Sequence, residues 1–252
     1  MEHPVLETHG LTIRFGGHVA VNAVSCAFRP GTLTAIVGPN GAGKTTYFNL
    51  VSGQLRASAG RVSLYGEDIS SLSASQRTHR GIGRAFQLTN LFPRLTVLEN
   101  VRLAVQSRAG MGKDLLSMWA GHGELIAKAE RLLERVALVA KRDAPAASLP
   151  HGDQRKLEVA MLLALEPEVL MLDEPTAGMS VDEVPVVLDL IRDIKAGGDK
   201  TILLVEHKMD VVRSLADRIV VLHQGRLVAD GEPAAVIASP VVQEAYLGIP
   251  HA

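Results

Sequence analysis

The sequence predicts an α/β protein: a parallel-sheet core that is entered through an antiparallel β portion at the N-terminus and interrupted by a helical insert. Three observations carry this expectation. Leu33 to Val37, Val169 to Leu172 and Thr201 to Val205 are short apolar runs suited to buried strands. The last two are separated by one segment with apolar residues at Val184, Val187, Leu188, Ile191 and Ile194, so strand, helix and strand at these lengths imply a right-handed crossover and parallel pairing. Between the first run and the second, the spacing turns helical near residues 88–165.

In chain order, residues 5–15 and 18–28 alternate and are rich in β-branched side chains, joined at Gly16-Gly17 as a hairpin. After the Pro30-Gly31 turn and the strand to Val37 comes the glycine-rich stretch Gly38 to Gly43, then a helix carrying Phe48 and Val51. Arg61 to Tyr65 reads as a strand, followed by a turn at Gly66-Glu67-Asp68 and a polar stretch through Arg80 in which the sheet pauses. Thr96 with Glu99 three residues on is a capping-box signature for a helix to about Gln106. Leu125, Ile126, Ala129, Leu132, Leu133, Val136 and Ala137 extend a second amphipathic helix from Glu124 to Ala140. Residues 107–123, with Gly110, Gly112, Gly121 and Gly123, carry the weakest order signal. A helix follows from Asp153 to Leu165, and near the C-terminus Arg218 to Leu222 and Arg226 to Ala229 flank Gln224-Gly225 as a two-residue hairpin.

The 252 residues allow one large α/β domain or a core with a subdomain at roughly 150 residues per domain. An apolar content of 47% and a charged content of 21% exclude disordered, collagenous and coiled-coil classes. Lys plus Arg number 26 against 27 Asp plus Glu, a net charge of −1, so no basic surface awaits a nucleic acid. The longest apolar run, Val159 to Leu165, is far below the roughly 20 residues that span a bilayer. Cys26 is the single cysteine and alternates with apolar neighbours, which predicts a buried thiol and fits a reducing cytoplasm.

Gly38-Pro39-Asn40-Gly41-Ala42-Gly43-Lys44-Thr45 matches G-x-x-x-x-G-K-[ST] between an apolar strand and a helix, the context the motif requires. Glycines let the backbone wrap a phosphate with N–H groups pointing inward, and the helix start adds partial positive charge. Lys44 then reaches the β- and γ-phosphates, and the Thr45 hydroxyl can ligate Mg²⁺. This loop alone leaves kinases, GTPases and transport ATPases open. A second element, Asp173-Glu174 at the end of an apolar strand, supplies two carboxylates that point to opposite sides, one suited to metal through water and the other to the attacking water.

With these motifs the chain resembles the ATP-binding subunit of ABC transporters over nearly all its length. The further residues carrying the resemblance are Phe86-Gln87 after a strand (the Q-loop pattern), Leu149-Pro150-His151-Gly152-Asp153-Gln154 in the place of the signature motif, and Glu206-His207 ending a strand (the switch-histidine pattern). It implies an ATPase core of ABC type, 1–87 with 166–252, carrying the N-terminal antiparallel β-subdomain, and a helical subdomain at 88–165. It also implies ATP and Mg²⁺ as ligands. Phe15 would stack on adenine, and Gly38, Pro39, Asn40, Gly41, Ala42, Gly43, Lys44, Thr45 and Thr46 would hold the phosphates. Thr45, Gln87 and Asp173 would serve the metal. Glu174 would act as general base, His207 would hold the γ-phosphate geometry, and Leu149, His151, Gly152 and Asp153 would contact the nucleotide of a partner subunit.

Where the family usually reads L-S-G-G-Q, this chain has Leu149-Pro150-His151-Gly152-Asp153. Pro150 offers neither hydroxyl nor N–H. Asp153 can cap its helix but brings negative charge that Lys156 or a metal must offset. Ser180 stands where an aspartate is frequent, and together these departures point to an asymmetric pair of ATP sites. Gly83 to Gln87, Leu91 to Val101, Val205 to Asp210 and Glu244 to Gly248 resemble the branched-chain amino-acid uptake type, and urea and amide importers share much of this text. The resemblance implies two membrane permease subunits, a second ATP-binding subunit and an extracytoplasmic solute-binding protein as partners, no nucleic acid, and a place on the inner face of the cell membrane. A soluble ABC ATPase would usually carry two ATPase domains or a long coiled-coil insert. A small-molecule kinase would leave 149–154 unexplained and need lid arginines, whereas Arg77, Arg80 and Arg84 read as a solvated face.

Overall fold

The computed structural model of the chain describes residues 3–85, 91–110 and 123–247. Its strands in chain order are β1 (Leu6–Phe15), β2 (His18–Phe28), β3 (Leu33–Val37), β4 (Ala59–Leu64), β5 (Glu67–Asp68), β6 (Ile82–Ala85), β7 (Val169–Asp173), β8 (Thr201–Val205), β9 (Arg218–His223) and β10 (Arg226–Gly231). Among the described residues these form two sheets. One is antiparallel in the order β2-β1-β4-β5, and the other runs β10-β9-β3-β8-β7-β6. All neighbours in the second sheet are parallel except β10 against β9. The predicted parallel core and antiparallel entry are thus both present.

The helices are α1 (Lys44–Val51), α2 (Ala74–His79), α3 (Val97–Arg108), α4 (Gly123–Arg135), α5 (His151–Ala164), α6 (Val184–Ala196), α7 (Met209–Leu215), α8 (Pro233–Ile237) and α9 (Pro240–Leu247). Period-2 alternation sorts the core strands onto two faces. Leu33, Leu170, Leu172, Ile202 and Leu204 pack with the helices inserted between β6 and β7 and with α6. Ile36, Val169, Met171, Leu203 and Val205 pack the other way, against α1 and the antiparallel sheet. Eight residues are too few for a helix to hold itself in water. Full burial of Tyr47, Phe48 and Val51 between the two sheets therefore fixes α1.

The Gln224-Gly225 hairpin forms as predicted, with both residues at positive φ (48° and 73°), the requirement of a two-residue type I′ turn. Cys26 is buried, and burial pushes its thiol up to about 11.

Four expectations need correction. The sheet does not pause at the expected Gly66-Glu67-Asp68 turn: Glu67–Asp68 pairs with β4 and extends the antiparallel sheet. The polar stretch before Arg80 also contains α2, whose Ser73 and Gln76 form a complete capping box. The helix predicted to reach Ala140 stops at Arg135, because Ala137 turns left-handed (φ 54°) while its N–H donates to the Glu134 carbonyl and Leu138 N–H to that of Leu133. The helix predicted from Asp153 begins two residues earlier, at His151. Arg77 and Arg84 are not on a solvated face. Arg77 is buried, its guanidinium donating to the carbonyls of Leu50, Val51, Ser70 and Leu72. Arg84 is equally enclosed, and of the three only Arg80, paired with Glu67, is exposed.

Ala137 is exposed, so its backbone strain can be isolated. A left-handed residue with a Cβ costs about 1–2 kcal/mol, and glycine loses part of that gain through its freer unfolded chain. Ala137→Gly should raise the unfolding free energy by about 0.5–1 kcal/mol, read from the urea midpoint at unchanged slope.

Candidate functional site

The glycine loop leaves the C-terminal end of β3 and enters α1. A Cβ on Gly38 (φ 154°) would lie 2.1 Å from the Leu222 carbonyl oxygen, and one on Gly43 (φ 96°) 2.5 Å from that of Ala20. Only glycine lets this loop settle between β9 and β2. Gly43 is the N-cap of α1 and supplies no side-chain acceptor. The first N–H groups of the helix are therefore not capped by a side chain, the arrangement that receives anions. Pro39 is half-buried, Asn40 and Gly41 are exposed, Ala42 is buried, and Thr45 and Thr46 are half-buried in the first turn. Lys44 curls back over the loop, its Nζ donating to the carbonyls of Gly38 (2.6 Å) and Pro39 (3.0 Å). Burial lowers its pKa from the ordinary lysine value, and the Glu174 and Asp173 carboxylates oppose that shift.

Because β3, β8, β7 and β6 are successive neighbours in one parallel sheet, the residues following each arrive at the same edge. Asp173 closes β7 and is buried, with Oδ2 accepting from Arg84 Nη2 at 2.8 Å. Glu174 follows in the left-handed region (φ 48°), and its N–H donates to the Val205 carbonyl. That turn, together with strand alternation, separates the two carboxylates. Glu206, directly after β8, is fully buried. Its Oε1 accepts from the Thr176 hydroxyl (2.5 Å) and its Oε2 from the His207 N–H (2.8 Å) and Lys208 N–H (3.4 Å). Glu206 thereby ties the segment after Glu174 to the loop that presents the exposed His207, whose Nδ1 lies 3.5 Å from Glu206 Oε2.

Phe15 ends β1 about half exposed, opposite His18 in the hairpin whose Ala20 lies against Gly43. The segment 149–153 is a separate cluster at the start of α5. Leu149 is buried, Pro150 is the N-cap of α5, His151 is exposed and Gly152 is buried. The Gly152 N–H donates to Glu183 Oε1 (3.0 Å), while Glu183 Oε2 accepts from the Ser180 N–H and hydroxyl. Those bonds, from Gly152 first, hold the Glu183 carboxyl below the ordinary range. Asp153 is not the cap expected of it, since the helix has already begun. It pairs with Lys141 and, at 3.1 Å, with Lys156. Burial works to raise its pKa, and the two ammonium groups outweigh that. Phe86 and Gln87 lie outside the described residues, as does most of 107–123.

Residues 21–177 match the ABC transporter family. The chain belongs to that family. This ABC chain is 39% identical to LivG, the high-affinity branched-chain amino acid transport ATP-binding protein of Salmonella typhimurium, over 98% of its own length and 99% of the relative's. It is 38% identical to BraF, the corresponding protein of Pseudomonas aeruginosa, with the same coverage. Among solved structures it is similar to MJ1267, an ATP-binding cassette of an ABC transporter, in its ADP conformation. The TM-score is 0.84 at 29% identity, covering 98% of this chain and 99% of that one. A nucleotide-free ATP-binding cassette matches with TM-score 0.83, also at 29% identity, covering 98% and 100%.

Sequence reasoning missed Arg84, Glu183 and the burial of Glu206 in this ABC ATPase. An arginine inside the strand beside the acidic one, and a carboxylate directly after an all-apolar strand, were the available signals for the first and last. Glu183 had none, because its partner is set by tertiary structure. Glu206→Ala should strand two backbone donors and the Thr176 hydroxyl. The expected loss is about 2–3 kcal/mol in urea denaturation, against a smaller loss for Glu206→Gln, which keeps one acceptor.

Proposed function

We propose that this ABC ATPase is the ATP-hydrolysing subunit of an importer for branched-chain amino acids. The observation that carries the chemistry is the gathering of Lys44, which follows β3, and the Asp173-Glu174 pair, which ends β7, at one edge of the same parallel sheet with β8 between the two strands. The near full-length similarity to LivG and BraF supports the importer and its solute class.

In this reading the loop 38–43 and the start of α1 bind the triphosphate through backbone N–H groups. Lys44, freed from its two carbonyls, moves its charge to the β- and γ-phosphates, and Phe15 offers its exposed face to adenine. Among the described residues no three His, Cys, Asp or Glu side chains are grouped to hold a metal by themselves. One carboxylate, Asp173, and one hydroxyl, Thr45, suit Mg²⁺, which keeps waters and substrate phosphates in its shell. When bound, the metal neutralises charge developing on the transferred phosphoryl group. Glu174 orients the attacking water and accepts its proton as the bond to the γ-phosphorus forms and the β–γ bridge bond breaks. His207 would hold the γ-phosphate and Glu174 in register, and Gln87 would serve the metal or the attacking water.

Leu149, His151, Gly152 and Asp153 would meet the nucleotide of a second ATP-binding subunit, so hydrolysis needs two cassettes face to face. The α/β core, 1–87 with 166–252, would carry the nucleotide and the helical segment 88–165 would transmit its closure to two permease subunits fed by a solute-binding protein. Among the described residues no helix is long and apolar enough to cross a membrane. The reading places the chain against the inner membrane face through those permeases.

Glu174→Gln should keep ATP binding and lower turnover by about 10²–10⁴, measured as phosphate release beside nucleotide affinity. Near-normal turnover would remove Glu174 from its role. Lys44→Ala should weaken nucleotide binding at least about tenfold, the loss of one charge-assisted contact. With co-expressed permeases in vesicles, leucine-loaded binding protein should stimulate the ATPase. Stimulation by urea or amides instead would overturn the solute assignment.

A further inference from the structure

Arg84 is the cation in this site for which the proposed chemistry gives no task. It lies on β6, and its side chain and that of Asp173 are 7% and 5% exposed. Its Nη2 donates to Asp173 Oδ2 at 2.8 Å. Its Nη1 donates to Asn49 Oδ1 at 2.6 Å, Ser52 Oγ at 2.9 Å and Gln54 Oε1 at 3.3 Å, and the guanidinium lies 5.6 Å from the centre of the Phe48 ring. Asn49 and Phe48 belong to α1, and Ser52 is its C-cap. One planar group thus bonds both to the end of the helix that begins with Lys44-Thr45 and to the carboxylate that closes β7.

We propose that Arg84 is a positioning residue for a divalent cation, locking the Asp173 carboxylate onto α1 so that Asp173 and Thr45 keep one fixed relation. The proposal rests on the reading that these two residues serve the metal. The guanidinium engages Oδ2, and Oδ1 accepts no hydrogen bond among the described residues, which leaves that oxygen for metal-bound water. The anchoring by Asn49, Ser52 and Gln54 keeps the fork in place when a cation arrives. A carboxylate held by such a partner gains a set orientation, and loss of partners of this kind typically lowers metal affinity by about 10–100-fold. Lysine cannot replace the fork, because an ammonium is a point charge that cannot satisfy α1 and Asp173 in one plane.

The test is Mn²⁺ binding to the full chain with a non-hydrolysable ATP analogue, followed by electron paramagnetic resonance, beside binding of the same analogue in EDTA. Arg84→Lys should weaken Mn²⁺ binding about tenfold or more and leave metal-free analogue affinity within about twofold. Asn49→Ala, which removes one anchor and keeps the arginine, should shift Mn²⁺ affinity in the same direction by less. It serves as the test if Arg84→Lys does not fold. Unchanged Mn²⁺ affinity in whichever folded variant is measured overturns the proposal. So does an equal loss of analogue affinity in EDTA, which would mean that Arg84 only maintains the fold. A wild-type chain that binds Mn²⁺ no better with the analogue than without it would instead defeat the reading of Asp173 and Thr45 as the metal's residues.

Discussion

The whole site depends on holding α1 still. Its first turn carries Lys44 and Thr45 and has no side-chain cap, and eight residues make too short a helix to persist without help. The help comes at both ends. At the N-terminal side, glycines at 38 and 43 let the loop sit against the carbonyls of Leu222 and Ala20. At the C-terminal side, two buried arginines hold it. Arg77 gives hydrogen bonds to the Leu50 and Val51 carbonyls, a cation where the helix dipole is negative, and Arg84 takes Asn49 and Ser52. Gly53, at φ 79°, accommodates the close approach of Arg77, whose Nε would lie 2.9 Å from a Cβ there.

The same logic governs the acidic side. A carboxylate is expensive to bury without partners, and each buried acid here has them. Asp173 has Arg84, Glu206 has a hydroxyl and two backbone N–H groups, and Glu158 on α5 has Arg155 at 2.8 Å. Glu158 is the least satisfied: burial raises its pKa, its Oε1 has no hydrogen-bond partner among the described residues, and it borders a cavity of about 240 Å³ lined also by His151, Gln154, Arg155, Ala177, Gly178 and Met179. Glu174 is half-buried and differs from these by its backbone, which turns left-handed directly after the strand. A glutamate in that conformation stores strain that the strand pairing of β7 with β8 must sustain.

Much of this was legible in the sequence because it obeys local rules. The apolar runs gave the buried strands, the glycine motif gave the loop, and Thr96 with Glu99 gave a capping box that forms in full. The parts that were not legible are those set by partners distant in the chain. Arg77 and Arg84 look like surface charge beside Arg80, because nothing nearby in sequence shows the carbonyls and the carboxylate that pair with them. Ser73 and Gln76 carry a local helix signal inside the polar stretch before Arg80. Ala137 shows the opposite failure: its helical spacing is genuine, yet a Schellman-type ending, sealed by burial of Leu133 and Leu138, stops the helix two residues earlier.

The departures in the signature segment take on a physical meaning at the tip of α5. Pro150 leaves the helix without a side-chain cap, and Asp153 in the first turn complements the dipole while Lys141 and Lys156 cancel most of its outward field. The missing capping contact is supplied across space, by Glu183 on the Gly152 N–H. Any phosphate that used this N–H would meet a carboxylate already bound there and held in place by Ser180. Glu183 is the N-cap residue of α6 and is half-buried, and its second carboxylate oxygen is held by Ser180. The Glu183 carboxylate thus bridges the tip of α5 and the segment after Glu174, and an anion on the Gly152 N–H would compete with it.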